Sequence, residues 1–247
     1  MTILLLAALL PAIVLLVYVY KKDRAEKEPV GLILGLFLMG ACGGPVAAFA
    51  ESILFEVFEA VIPSGPMLVI LQYFVGVAMV EEGVKYFILR TTRKNPNFNY
   101  VFDGVVYAVA VSLGFAALEN VEYVLQYGLG TGLVRAITSV PGHAIFGVFM
   151  GYYYGFAKLA EYEGDKEREQ HYKRLAVVVP LLLHGTYDFF AMTMQFDGRF
   201  TILFFAFLAG LYLVGTRQVN RSAMEDRRVD PDVMQRFNPD FRPPWQE

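Results

Sequence analysis

Apolar runs separated by short polar connectors fill most of this chain. Seven of them have the length a helix needs to cross a membrane: about Thr2 to Tyr20, Pro29 to Ala50, Met67 to Leu89, Gly104 to Tyr127, Thr131 to Ala157, Leu175 to Thr193 and Phe200 to Gly215. The connectors alternate in basic content. Lys21 to Glu28 holds four Lys or Arg, Arg90 to Tyr100 three and Lys158 to Arg174 five, while Glu51 to Pro66 and Gly128 to Gly130 hold none. The turn near Arg199 has one and the stretch after Thr216 six. Basic loops stay cytoplasmic, so the pattern predicts an N-terminus outside and a C-terminus inside; an eighth span would break the alternation. The expected fold class is all-α, a polytopic integral membrane helical bundle.

Composition sharpens this picture. Hydrophobic residues make up 56% of the 247, mean hydropathy is +0.44, and the apolar content is spread over the whole length. One integral membrane domain over residues 1–216 is therefore expected, followed by a polar, Arg- and Asp-rich cytoplasmic tail over 217–247 that is expected to be poorly ordered. The net charge of −3 says little about partners, and no nucleic acid is expected among them. A lone Cys42 excludes an intrachain disulfide or a thiolate zinc site and is expected to pack as a small apolar side chain. Residues 2 to 20 lack the basic segment that precedes a secretory signal's core, and Lys21, Lys22, Arg24 and Lys27 follow them; they read as a retained first helix. Glu51 to Ile62 mixes acids with apolar residues, and reads either as an amphipathic helix in the outer interface or as a solvated connector. Gly31 with Gly35, and Gly147 with Gly151 and Gly155, are spaced to let helices approach closely.

The third run carries an anomaly. Glu81, Glu82 and Lys85 sit inside it, where each charge costs roughly 2.5–3.5 kcal/mol to insert. Other runs supply groups that answer them: Glu119 and Asn120 in the fourth, His143 in the fifth, His184 and Asp188 in the sixth. Glu81 and Lys85 are i, i+4, as are Phe115 and Glu119, and His184 and Asp188, so each pair shares a helix face. An imidazole with a carboxylate one turn away can be oriented by it. Four carboxylates, Glu81, Glu82, Glu119 and Asp188, against Lys85 alone leave −3 in the bilayer. Protonation, charged histidines, a bound divalent cation or water must relieve that. Two imidazoles, a carboxylate ligand and a second carboxylate as base reproduce a hydrolytic zinc site; without metal, a glutamate activating water beside a polarising histidine does related chemistry. Depth is a partial objection. Glu82 and His184 lie ~12 and ~15 Å from the basic ends of their runs, but His143 and Glu119 ~22 and ~24 Å from theirs. Glu122 and Arg135 lie near outer ends and read as reaching the interface, and Asp103 fits a helix cap as well as a catalytic role.

Four short patterns occur in order on successive runs. Glu81-Glu82-Gly83-Val84-Lys85 matches Glu-Glu-x-x-Lys, Phe115 to Asn120 matches Phe-x-x-x-Glu-Asn, His143 to Gly147 matches His-x-x-x-Gly, and His184 to Asp188 matches His-x-x-x-Asp. Together they resemble the PrsW family of intramembrane proteases, in the superfamily of the type II CAAX prenyl endopeptidases. The resemblance implies an endopeptidase of metallo- or glutamic type in a bacterial or archaeal cell membrane. Its substrate would be a membrane-anchored protein, for example an anti-sigma factor at its first cut. It implies that Glu81 or Glu82 activates water, that His143 and His184 bind metal or polarise water and carbonyl, and that Glu119 is a third ligand. Asn120 would donate to the oxyanion, and Lys85, Asp188 and Phe115 would support the site. The cofactor is a divalent metal such as zinc, or none if the mechanism is glutamic. Two rivals stand beside this reading: a non-enzymatic scaffold of the same superfamily fold, and a proton-coupled transporter built on the same intramembrane acids and histidines.

Overall fold

The computed structural model describes residues 2–229. Among them, seven helical units are long and apolar enough to cross a membrane, and there is no strand beyond an isolated bridge between Tyr100 and Arg228. The chain is a multi-pass membrane protein. α1 (Thr2–Lys22) and α2 (Val30–Val61) open it. The third unit is compound: α3 (Pro66–Leu71), a π-helical stretch (Gln72–Ala78), α4 (Met79–Leu89) and a 3-10 turn (Arg90–Lys94). Then come α5 (Val101–Tyr127), α6 (Leu129–Ile137) leading into α7 (Ser139–Tyr162), α8 (Lys166–Thr193) and α9 (Gly198–Met224).

Several boundaries differ from the hydropathy reading. Glu51 to Val61 continues α2 and forms no separate interfacial helix or connector, because nothing breaks the helix until Pro63-Ser64-Gly65. α9 runs past Gly215 to Met224, and residues 226–229 fold back on the start of α5. Poor order is expected from residue 217 on; 217–224 instead continue α9, and residues 230–247 lie outside the described residues. Cys42 is exposed on α2 instead of packing inside.

α5 is the axis of the bundle. Nine-tenths of its apolar window is buried (94%), against 17–28% for α1, α2, α8, α9 and the third unit. Large apolar side chains such as Leu34, Phe49, Phe87 and Ile202 stay exposed on those outer helices, where acyl chains would cover them. Lipid tails are as apolar as leucine, so helix association here depends on close packing. α7 achieves this against α5: a Cβ at Gly151 would overlap the Gly104 carbonyl oxygen, and one at Gly155 that of Val101. Gly31 and Gly35 face open space, and the packing expected of them falls to Gly40, which lies on the Val111 backbone.

The N-terminus of α5 is closed with care. Asp103 Oδ2 accepts the N–H groups of Asn99 (2.9 Å) and Tyr100 (2.7 Å), which settles its capping role. The N–H of Val101 donates to the Arg227 carbonyl (2.9 Å) and that of Phe102 to Asp226 (2.9 Å), so the segment after α9 supplies partners for two more orphan donors.

Candidate active site

The polar residues that stand apart along the sequence converge beside α5. α4 contributes Glu81, Glu82 and Lys85, all buried. The π-helical stretch precedes them by one turn, a widening that recurs at functional sites. Its Phe74 lies where a Cβ on Gly185 would stand, so α8 can come close enough to bring His184 to α4. α6 and α7 meet at Thr138, and α7 then carries His143 inward from near its start.

Lys85 is at the centre. Its Nζ lies 3.0 Å from Glu81 Oε2, 2.8 Å from Glu82 Oε1 and 3.1 Å from His143 Nδ1, and 4.3 Å from the centre of the Phe115 ring. An ammonium only donates, so His143 Nδ1 accepts and its proton sits on Nε2, 3.1 Å from Glu119 Oε2. His184 follows a parallel pattern. Its Nδ1 is 2.9 Å from Glu82 Oε1, its Nε2 is 3.1 Å from Asp188 Oδ2, and Phe146 stacks on its face with centroids 4.9 Å apart. Each imidazole thus turns one nitrogen to an outlying carboxylate and the other inward, His184 to Glu82 and His143 to the Lys85 ammonium. The two rings lie 5.0 Å apart. The depth spread expected from the sequence does not keep these residues apart.

Glu81, Glu82, His143 and His184 offer ligand atoms within 4.8 Å of one another and could hold a metal ion. Two imidazoles and two carboxylates are a donor set suited to zinc. Two expectations meet a different placement. Glu119, expected as a third ligand, stands behind His143 and pairs with Arg135 Nη2 at 2.8 Å. Asn120 donates its amide to the Ala8 carbonyl of α1 (2.9 Å), so the structure does not bring it to the cluster.

Sequence reading missed other participants. Arg135, read as reaching the interface, turns inward over the Tyr123 ring (3.9 Å) to reach Glu119. It is a second cation, and the formal balance of four carboxylates against Lys85 alone becomes four against two. Ser112 Oγ donates to the His143 carbonyl (2.7 Å) and fixes that turn of α7. Glu51 lines a cavity of about 150 Å³ together with Glu81, Phe115, Glu119 and Glu122. An acid in a stretch read as an interfacial helix or a solvated connector gave no signal of this.

A buried cluster of carboxylates and imidazoles between membrane-spanning helices, open to a small polar cavity, has the make-up of an intramembrane hydrolase. The family comparison makes the class specific: residues 28–214 match the model of the PrsW family of intramembrane metalloproteases, and the chain belongs to that family. It is a protease, which sets aside the scaffold and transporter readings. The chain is similar to Protease PrsW of Clostridioides difficile (36% identity over 76% of this chain and 78% of that protein) and of Bacillus subtilis (34%, 87% and 94%). Protease PrsW of Halalkalibacterium halodurans is 34% identical over 91% of this chain and 99% of its own length. No solved structure matches the chain.

Proposed function

We propose that this protein cuts a peptide bond of a membrane-anchored protein within or beside a bacterial or archaeal cell membrane, with Glu81 as the base that activates water. One observation carries the choice of Glu81: it lines the cavity, whereas Glu82 is fully buried with Oε1 held by Lys85 and His184. Of the glutamate pair, only Glu81 meets water in the cavity. Glu81 takes a proton as the water oxygen attacks the carbonyl carbon, and returns it to the amine nitrogen as the C–N bond breaks. Lys85 donates to Glu81 Oε2 (3.0 Å) and holds its carboxyl group in place. Glu119 and Asp188 hold the two imidazoles in place, and Arg135 holds Glu119.

Glu82, His143 and His184 are the residues that would hold a metal, with Glu119 and Asp188 as the outlying carboxylates that orient imidazole ligands. A bound zinc would polarise the scissile carbonyl and acidify water. The central place of Lys85, 3.1 Å from His143 Nδ1, favours a second reading. In it the ammonium is the resident cation, and Lys85 and the imidazoles polarise the carbonyl in a glutamic mechanism. Metal content of the purified protein separates the two: about one equivalent that falls in a His184→Ala variant supports the first, and full turnover by metal-depleted protein the second.

The orientation proposed has the N-terminus outside and the C-terminus in the cytoplasm. The role proposed is regulated proteolysis, with the first cut of an anti-sigma factor as the substrate to try first. The direct test compares protein N-termini in membranes of cells that express the wild type or the Glu81→Gln, Glu82→Gln double variant at equal level. New termini beside membrane segments, seen only with the intact pair, support the proposal and name the targets. Identical sets of termini under several stress conditions would overturn it.

A further inference from the structure

About 24 Å from Glu119 along α5, at the basic-loop end of the bundle, a second group of acids is buried. Asp23 follows α1, Glu28 precedes α2, and Asp103 lies in the first turn of α5; they are 1%, 2% and 0% exposed. Each offers a carboxylate oxygen within 4.8 Å of the other two. Three converging acids by themselves mean little, but these are poorly partnered. Neither oxygen of Asp23 has a hydrogen-bond partner. The N–H groups of Ala25 and Glu26 face it and ease its charge without reaching hydrogen-bond geometry. Asp103 uses Oδ2 for its cap, and its Oδ1 is buried without a partner. Tyr107 donates its hydroxyl to Glu28 Oε2.

The neighbouring charges relieve the group only in part, the Lys27 charge easing that of Asp23. Lys27 directs its ammonium to the backbone carbonyls of Tyr20, Lys21 and Asp23, not to a carboxylate. Glu26 lies close by, engaged with the Asn99 amide, and Asp226 adds a further negative charge. Burial pushes the Glu28 carboxyl up to about 7, and Asp23 and Glu26 add to that. Burial likewise raises Asp23.

We propose that Asp23, Glu28 and Asp103 form a binding site for a hard divalent cation of the magnesium or calcium class, which fastens the α1–α2 connection to the start of α5. All-oxygen, carboxylate-rich ligands select such ions over the softer metals that imidazole attracts. The ion gives both Asp23 oxygens the direct partner they lack. It also acts at a joint: the same few residues of α5 receive the connection from α1 on one side and residues 226–229 on the other.

The test uses the full-length protein in detergent. Magnesium or calcium chloride, titrated to about 10 mM, raises the thermal midpoint of the wild type and of Glu81→Gln alike, and Asp23→Asn loses the response, with an affinity about tenfold weaker or more. Without added divalent ions Asp23→Asn unfolds no earlier than the wild type, since it removes an unpaired buried charge. A wild type that does not respond overturns the proposal, as does an equal response in Asp23→Asn or a response lost in Glu81→Gln. Terbium provides a check on folded protein without altering a ligand. Emission sensitised by Tyr107, displaced by calcium and lost in Tyr107→Phe, supports the site; emission unchanged in Tyr107→Phe overturns it.

Discussion

At the scale of single residues, the site is governed by the need to keep charge acceptable inside a bilayer. Glu81→Gln keeps the shape of the side chain and its contact with Lys85 but cannot take a proton. Turnover of a membrane-anchored reporter is expected to fall by about 10²- to 10⁴-fold, with the thermal midpoint of the purified variant close to that of the wild type. Near wild-type turnover would remove Glu81 from the mechanism. Arg135 offers a different kind of test, because it never meets the glutamate pair. Arg135→Gln leaves Glu119 without its cation in a largely buried place, a loss of about 3 kcal/mol when a buried pair is broken. Denaturant unfolding should show that loss, and a paired Arg135→Gln, Glu119→Gln variant should recover part of it. The contrast between these residues explains what the sequence disclosed. Glu81, Glu82, Lys85, His143 and His184 interrupt apolar runs, and the cost of placing them there makes them conspicuous. Arg135 and Glu51 lie near the ends of their runs, where a charged side chain can equally reach water. Only the break at Thr138 and the unbroken length of α2 reveal that they turn inward. Asn120 was conspicuous for the same energetic reason as the histidines, yet its amide joins α5 to α1.

Elements meet by backbone contact, and this scale separates glycines that look alike along the sequence. In Gly151→Val the new side chain would meet the Gly104 carbonyl and the Val105 backbone, neither of which can rotate away. A loss of about 3 kcal/mol or failure to accumulate in the membrane is expected, as overpacking of this kind forces the backbone to shift. Gly31→Ala and Gly35→Ala should be neutral, or more stable by up to about 1 kcal/mol through helix propensity, because a methyl group there meets nothing. Equal sensitivity at both pairs, read from denaturation in detergent, would contradict the packing described. Small residues four apart are visible in any sequence, but which face a helix turns to its neighbour is decided by the whole bundle. Span number was more legible than span ends for a similar reason. Hydropathy reports the apolar stretch, whereas a helix can continue into polar residues, as α2 does to Val61 before Pro63 and α9 does to Met224.

At the scale of the whole molecule, the segment after α9 closes the start of α5. α5 is surrounded by other helices, so its first turn cannot reach lipid headgroups or bulk water on every side, and its amide donors need partners from the protein. The segment that follows α9 supplies them: Val101 donates to Arg227, Phe102 to Asp226, and Val229 donates in return to the Asn99 carbonyl (2.7 Å). Basic loop content predicted that the start of α5 and the end of α9 lie on one side of the membrane, but it could not say that they touch, since polar residues after a last span read simply as a tail. These three bonds are worth about 1 kcal/mol each in net stability. Truncation after Glu225 removes all of them, and at about 2–4 °C per kcal/mol for a chain of this size the midpoint should drop by about 6–12 °C. The chain truncated after Val229 keeps all three and should melt above the shorter chain by that amount. The two truncations differ by four residues that lie far along α5 from Glu81 and the histidines, so turnover at a temperature below both midpoints should survive in each. If the shorter chain melts with the longer one, the α5 terminus finds its partners elsewhere and the C-terminal segment has no part in holding the bundle together.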